Sequence, residues 1–292
     1  MANLSRFFIY NFMKDKTCLI TGGTSGVGKS IAIALAKQNA IVNILSRTVE
    51  KGIKTAEEIK KISNNPDVYY FICDQSDKNS IYKFIDEFKT KYSRLNLLAN
   101  CAGALNWKRE LTKDGIEKTF MVNYLSHFVI TNELLDLLKQ GKPARVISVG
   151  GTLDWVQKAN LNVDDFNFEI NYNPFKVAIH SILAKTVFTL ELGKRLEGTG
   201  VTANVFHPGI IRSNLGRDLP FFLKYSQKIF NIFFSKESKT GIYLATSDDV
   251  EKLTGKYFVK KKPYEFKPKY VTENDTQKLL DLSKELLGHK SV

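Results

Sequence analysis

Residues 21–28 read Thr21-Gly22-Gly23-Thr24-Ser25-Gly26-Val27-Gly28, after the apolar run Cys18-Leu19-Ile20 and before Ile31, Ala32, Leu35 and Ala36 at helical spacing. A strand, a glycine-rich turn and a helix in that order bring backbone N–H groups and a helix N-terminus up to a dinucleotide pyrophosphate. Glycine is needed there because a Cβ would block the approach. Outward from this unit the same alternation continues, with helical patterns at 27–39, 49–62, 80–91, 115–138 and 174–196 separated by short apolar runs. Strands alternating with helices through short connections predict one doubly wound α/β domain of about seven parallel strands, with helices on both faces.

The 292 residues are 43% apolar, enough for a large core, and show no internal repeat or low-complexity linker. Three segments are expected: an apolar and basic N-terminal stretch at 1–14, the domain at 15–262 with a lid-like helix at 217–236, and a basic C-terminal extension and helix at 263–292. Cys18, Cys73 and Cys101 fall on or just after separate strands. An odd number in such contexts reads as apolar packing in a reducing, intracellular compartment, not as disulfides. No Cys-x-x-Cys or His-x-x-x-His metal spacing and no Gly-x-Ser-x-Gly nucleophile turn is present.

Three further motifs sit at fixed places along the chain. Asn100-Cys101-Ala102-Gly103 follows a strand, Val122-Asn123-Tyr124 lies in a long helical pattern, and His207-Pro208-Gly209 ends another strand. With the glycine turn, this set resembles the short-chain dehydrogenase/reductase superfamily over about residues 15 to 260. Lys108-Arg109-Glu110-Leu111-Thr112, Asp114-Gly115 and Trp155-Val156-Gln157-Lys158 look like its retinol dehydrogenase-like branch. The resemblance implies that Thr21 to Gly28 hold a nicotinamide dinucleotide, that Asn100, Ala102 and Gly103 support the sheet and the adenosine, and that Pro208 and Gly209 shape the nicotinamide end. Asp74 resembles an adenine-contacting acid, and Ser213 a group on the nicotinamide side. Ser46-Arg47 follows the second strand with no acid to hold two ribose hydroxyls, and an arginine suits a 2′-phosphate, so NADP(H) is favoured over NAD(H).

Family chemistry uses an Asn, a Ser, a Tyr and a Lys, the last two spaced Tyr-x-x-x-Lys so that both leave one helix face. The cation matters because an unassisted phenol titrates near 10. Asn123 matches the Asn. Counting back without a gap from His207 through Val201-Thr202 and Leu190-Glu191-Leu192, the Tyr position falls on Ala178 and the Lys position on Ile182, while Gly151 stands at the Ser. Tyr172 and Lys176 form a second Tyr-x-x-x-Lys six residues earlier. A six-residue shift is roughly 9 Å and about 240° of rotation on a helix. Pro174 further fits only a first helical turn. Ser148, His127 and His180 read as structural.

The excess of 43 Lys and Arg over 30 Asp and Glu gives +13. A basic surface can meet nucleic acid, anionic lipid or an acidic partner, or simply be solvated. No nucleic-acid-binding motif is present, so nucleic acid ranks last. The apolar stretch Phe7 to Met13 is too short to span a bilayer and lacks a secretory cleavage site. Phe222, Tyr225, Ile229 and Phe233 recur at helical spacing between lysines, which suits a lid or a membrane-facing helix.

The first expectation is therefore a catalytically degenerate member that binds NADP(H) and serves as a structural or sensing subunit of a larger assembly, or as a homo-oligomer, at a mitochondrial or cytoplasmic membrane surface. The alternative is an active NADP-dependent oxidoreductase on a retinoid, steroid or other lipophilic alcohol or carbonyl, with the shifted Tyr172 and Lys176. A third is a peripheral membrane module without nucleotide.

Overall fold

The computed structural model describes residues 12–209 and 237–288. Eight strands form a single sheet in the order β3-β2-β1-β4-β5-β6-β7-β8. They are β1 (Thr17–Ile20), β2 (Ile41–Ser46), β3 (Val68–Ile72), β4 (Leu97–Asn100), β5 (Ala144–Val149), β6 (Val201–Phe206), β7 (Tyr257–Val259) and β8 (Lys262–Tyr264). β1 to β7 pair in parallel, as the alternating pattern predicts, and β8 turns back antiparallel on β7. The three-residue β8 carries exposed side chains and no apolar alternation, which is why the sequence pattern does not announce it.

Each central strand feeds both faces because successive side chains point opposite ways. Leu19 and Leu98 enter one core together with α3 (Lys78–Lys91), α5 (Ser126–Glu133), α8 (Pro174–Arg195) and the C-terminal helix Glu273–Leu286. Cys18, Ile20, Leu97 and Ala99 enter the other, against α1 (Gly26–Ala36), α2 (Val49–Ser63) and the helix Lys239–Thr246. The C-terminal extension is thus anchored on the domain: Leu279 and Leu280 are buried, and Ser283 Oγ lies 2.6 Å from Tyr124 Oη. All three cysteines are free, and burial pushes each thiol up to about 12.

Topology fixes where a ligand can sit. The chain runs outward from β1 to β2 and β3, then crosses back to β4 on the other side of β1. At that reversal the connections after β1 and β4 lead to helices on opposite faces of the sheet, which opens a crevice at the carboxyl ends of the strands. Among the described residues no helix is long and apolar enough to cross a membrane, and none of their His, Cys, Asp or Glu side chains cluster as metal ligands.

Candidate functional site

The glycine turn lies at this crevice and is folded around Thr21. Its Oγ1 accepts from Cys101 N at 2.9 Å and Ala102 N at 3.0 Å, tying the turn after β1 to the turn after β4. Gly22 has φ +61, and a Cβ on it would come within 2.8 Å of Ala102 Cα. A Cβ on Gly28 would lie 2.6 Å from Gly22 O, so helix α1 can approach the turn only as glycine. Ser25 is the N-cap of α1 but makes no side-chain capping bond, which leaves the first N–H groups of the helix facing the crevice. An anion is the natural partner of such groups.

A polar cavity of about 650 Å³ extends from this turn and is lined by Gly22, Thr24, Ser25, Arg47 and Asp74. Ser46 is not in its wall; its Oγ donates to Thr48 O at 2.8 Å and fixes the bend that presents Arg47. Asp74 Oδ1 accepts from Ser76 N at 3.0 Å and Ser76 Oγ at 2.8 Å, so the acid is held against the cavity by its own turn. Lys51 and Lys118 also line this end, Lys118 paired with Glu110 at 2.9 Å. Their spacing carries no motif, so their meeting at this cavity is not legible in the sequence.

A second, more apolar cavity of about 350 Å³ adjoins the first, sharing Gly22, Ser25, Ala102 and Gly103, and ends at Asn123, Ala178, Ile182 and Pro208–Gly209. Asn123 sits in a π-helical turn, Met121–Leu125, between α4 (Lys118–Phe120) and α5. Its Oδ1 accepts from Ala104 N at 2.6 Å, and its Nδ2 donates to Ala104 O at 3.1 Å and to Ser181 Oγ at 3.0 Å. It therefore clamps the loop after β4 to helix α8. Asn100 is buried behind the wall, donating from Nδ2 to Thr131 Oγ1 at 3.0 Å, and supports the sheet. Ser213 and the stretch 217–236 lie outside the described residues, as does 1–11.

The three positions that the sequence reading sets against the family's Ser, Tyr and Lys come together. Ala178 and Ile182 line the apolar cavity, and a Cβ on Gly151 would stand 3.6 Å from Ile182 Cγ2. The shifted pair does not join them. Asn173 caps α8, accepting from Phe175 N and Lys176 N at 3.0 and 3.1 Å, so Tyr172 precedes the helix. Tyr172 Oη donates to Asn106 O at 2.8 Å and faces Glu117 Oε1 at 3.4 Å. Burial, with the Glu117 carboxylate, pushes its phenol up to about 12, the wrong direction for a proton relay. Lys176 is exposed and lines neither cavity.

The other candidates are structural. His127 Nε2 lies 3.3 Å from Thr21 Oγ1, and burial holds the ring neutral. His180 stacks on Phe120 with centroids 5.5 Å apart and is pushed down to about 4 by burial. Ser148 Oγ accepts from Thr189 Oγ1 at 2.9 Å, pinning α8 to β5. Lys185 and Phe175 of the cavity wall were not anticipated. A lysine in the middle of a buried helix face is a signal the sequence did offer: it breaks the apolar run Ile182-Leu183-Ala184 and Val187-Phe188.

Comparison with known proteins agrees with this architecture. Retinol dehydrogenase 14 of Homo sapiens is 36% identical over 298 aligned residues, covering 94% of this chain and 87% of that protein. Polyprenol dehydrogenase of Homo sapiens is 34% identical over 286 residues, covering 94% and 86%. Among solved structures, an uncharacterized protein from Mycobacterium Paratuberculosis superposes with a TM-score of 0.70 at 26% identity, covering 94% of each chain. A short chain dehydrogenase from Burkholderia cenocepacia J2315, in complex with NADP, shares the fold with a TM-score of 0.64 at 20% identity, covering 85% of this chain and 96% of that one. The short chain dehydrogenase family pattern matches residues 16–220, the span that holds the glycine turn, the parallel sheet to β6 and both cavities, and the chain belongs to that family.

Proposed function

We propose that this protein binds NADP(H) along the polar cavity and acts as an oxidoreductase on a lipophilic alcohol or carbonyl held in the apolar cavity. The observation that carries the reading is the continuity of the two spaces: they share the glycine turn, the polar one running to Arg47 and the apolar one to Leu105, Val149, Phe175 and Ile182. Gly22 and Gly28 let the turn pack tightly against Ala102 and against the start of α1, which brings the N-terminus of that helix to the cavity for a pyrophosphate, and Arg47 offers a planar cation for a 2′-phosphate. Bound there, the nicotinamide supplies or accepts a hydride. Asn123 holds the loop that roofs the reacting end, while the apolar wall excludes water and suits a long hydrocarbon substrate. Similarity to a retinol and a polyprenol dehydrogenase, both named for long apolar alcohols, supports catalysis over the assembly-subunit role that the missing family residues first suggest.

The test is oxidation of NADPH by all-trans-retinal or a long-chain aldehyde, followed by nicotinamide absorbance. Saturable turnover, slow beside that of relatives with a complete Tyr and Lys, is expected; no oxidation with either substrate overturns the reading. A second reading rests on Gly151, Ala178 and Ile182 standing together: the protein holds NADP(H) without turnover, as a structural or sensing element. Micromolar NADPH binding in the absence of any turnover would select it.

A further inference from the structure

Helix α8 brings one cation to the apolar cavity, from a position the family pattern does not use. Lys185 is 3% exposed and lines the cavity beside Cys101, Asn123 and Ile182. It stands three residues after Ile182, a rise of about 4.5 Å. Side chains on a helix tilt toward its N-terminus, so the four-carbon stem of Lys185 leans back over the turn that carries Ile182. Its ammonium has no hydrogen bond or carboxylate among the described residues. An unpaired buried charge is costly, and the cavity that Lys185 lines is the side from which a partner can reach it.

The chemistry of the wall narrows the role. Of the described lining residues of this cavity, only Cys101 and Lys185 carry an ionisable acid–base group; Ser25 adds a hydroxyl at the glycine turn. Burial pushes the Cys101 thiol up to about 12 and the Lys185 ammonium down to about 8, near the working range of a general acid. The titratable groups that face Lys185 are Cys101 after β4 and His127 of α5, both held neutral by burial.

We propose that Lys185 is the ligand-facing proton donor of this cavity, meeting the oxygen of a lipophilic carbonyl or alcohol in place of a residue at 178 or 182. This rests on the oxidoreductase reading and deepens it. In reduction, a hydride adds to the carbonyl carbon, the C=O π pair moves to oxygen, and that oxygen takes a proton from Lys185 Nζ. A dihydronicotinamide bound along the polar cavity would supply that hydride with its two electrons, and the neutral amine regains its proton from water. Alcohol oxidation runs the same steps backward.

An unpaired amine beside an aldehyde also forms an imine, which gives a readout apart from turnover. The full chain with NADP⁺ and all-trans-retinal is treated with borohydride, and the adducts are mapped by peptide mass spectrometry. A reduced adduct at Lys185, suppressed by excess retinol and absent from Lys185→Arg, supports the proposal; adducts confined to surface lysines overturn it. In parallel, Lys185→Met should lower turnover about hundredfold, the lower range for losing a general acid, and flatten the pH profile near 8. Turnover of a folded Lys185→Met within threefold of wild type, with the same profile, overturns the proton role. An adduct at Lys185 in a wild-type protein that oxidises no NADPH overturns the oxidoreductase reading and leaves Lys185 as the carbonyl-facing group.

Discussion

A Cβ built on Gly151 would lie 3.6 Å from Ile182 Cγ2, so two positions that are far apart in the chain pack against one another beside the apolar cavity that Ile182 lines. Ala178 lines that cavity one turn earlier than Ile182. Side chains placed at 178 and 182 would therefore reach the apolar cavity. Ala178→Tyr combined with Ile182→Lys should raise NADPH-dependent reduction of an apolar aldehyde at least tenfold, because a phenol beside an ammonium is a competent acid where an alanine is none. Steady-state kinetics of the double variant check this; no gain, with NADPH binding intact, would mean the substrate lies elsewhere.

Tyr172 makes the opposite case. Its hydroxyl is spent on Asn106 O at 2.8 Å and on buried Glu117, which caps the next helix by accepting from Phe120 N at 2.7 Å. Tyr172→Phe should cost about 1 kcal/mol of stability, the usual worth of one hydrogen bond. Turnover should stay within twofold, and exposed Lys176→Ala should change neither quantity. A chemical denaturation curve and an activity assay on each variant decide the matter.

The two dyads show what could be read in advance. The glycine turn and the parallel strands follow from local spacing, because a βα unit encodes its turn chemistry within a dozen residues. Pro174 and Asn173 even fix where α8 begins. Two features escaped because they depend on packing distant in sequence. Lys185 becomes a cavity residue only when α8 lies over the turn after β4, and β8 exists only because β7 offers an unpaired edge. The C-terminal helix likewise joins the core through Tyr124 and Ser283, which are far apart in the chain.

Arg47 lines the polar cavity, on a bend fixed by Ser46 and Thr48. A hydrogen bond to a charged group is worth roughly 1.5–3 kcal/mol, or about tenfold to a hundredfold in affinity. Arg47→Ala should weaken NADPH binding by that factor and leave NADH binding within threefold, since NADH lacks the 2′-phosphate. Fluorescence titration with both nucleotides checks it, and equal losses for the two would remove the phosphate from the account.

Lys185 also sets a stability that varies with pH. Its folded pKa, pushed down to about 8 by burial, lies below the 10.5 of an unperturbed lysine. Between those values the unfolded chain binds the extra proton, so stability rises as pH increases from about 8 toward 10.5. Below about 8 the ammonium is charged in both states, and its full burial penalty, on the order of 3 kcal/mol, opposes folding. Lys185→Met, which keeps the stem and removes the charge, should therefore be more stable than wild type at pH 7, and the gain should shrink as pH rises past 8. Thermal melts of both proteins from pH 6 to about 10 follow the difference; a Lys185→Met protein less stable at pH 7 would mean that the ammonium already has a partner in the unliganded fold.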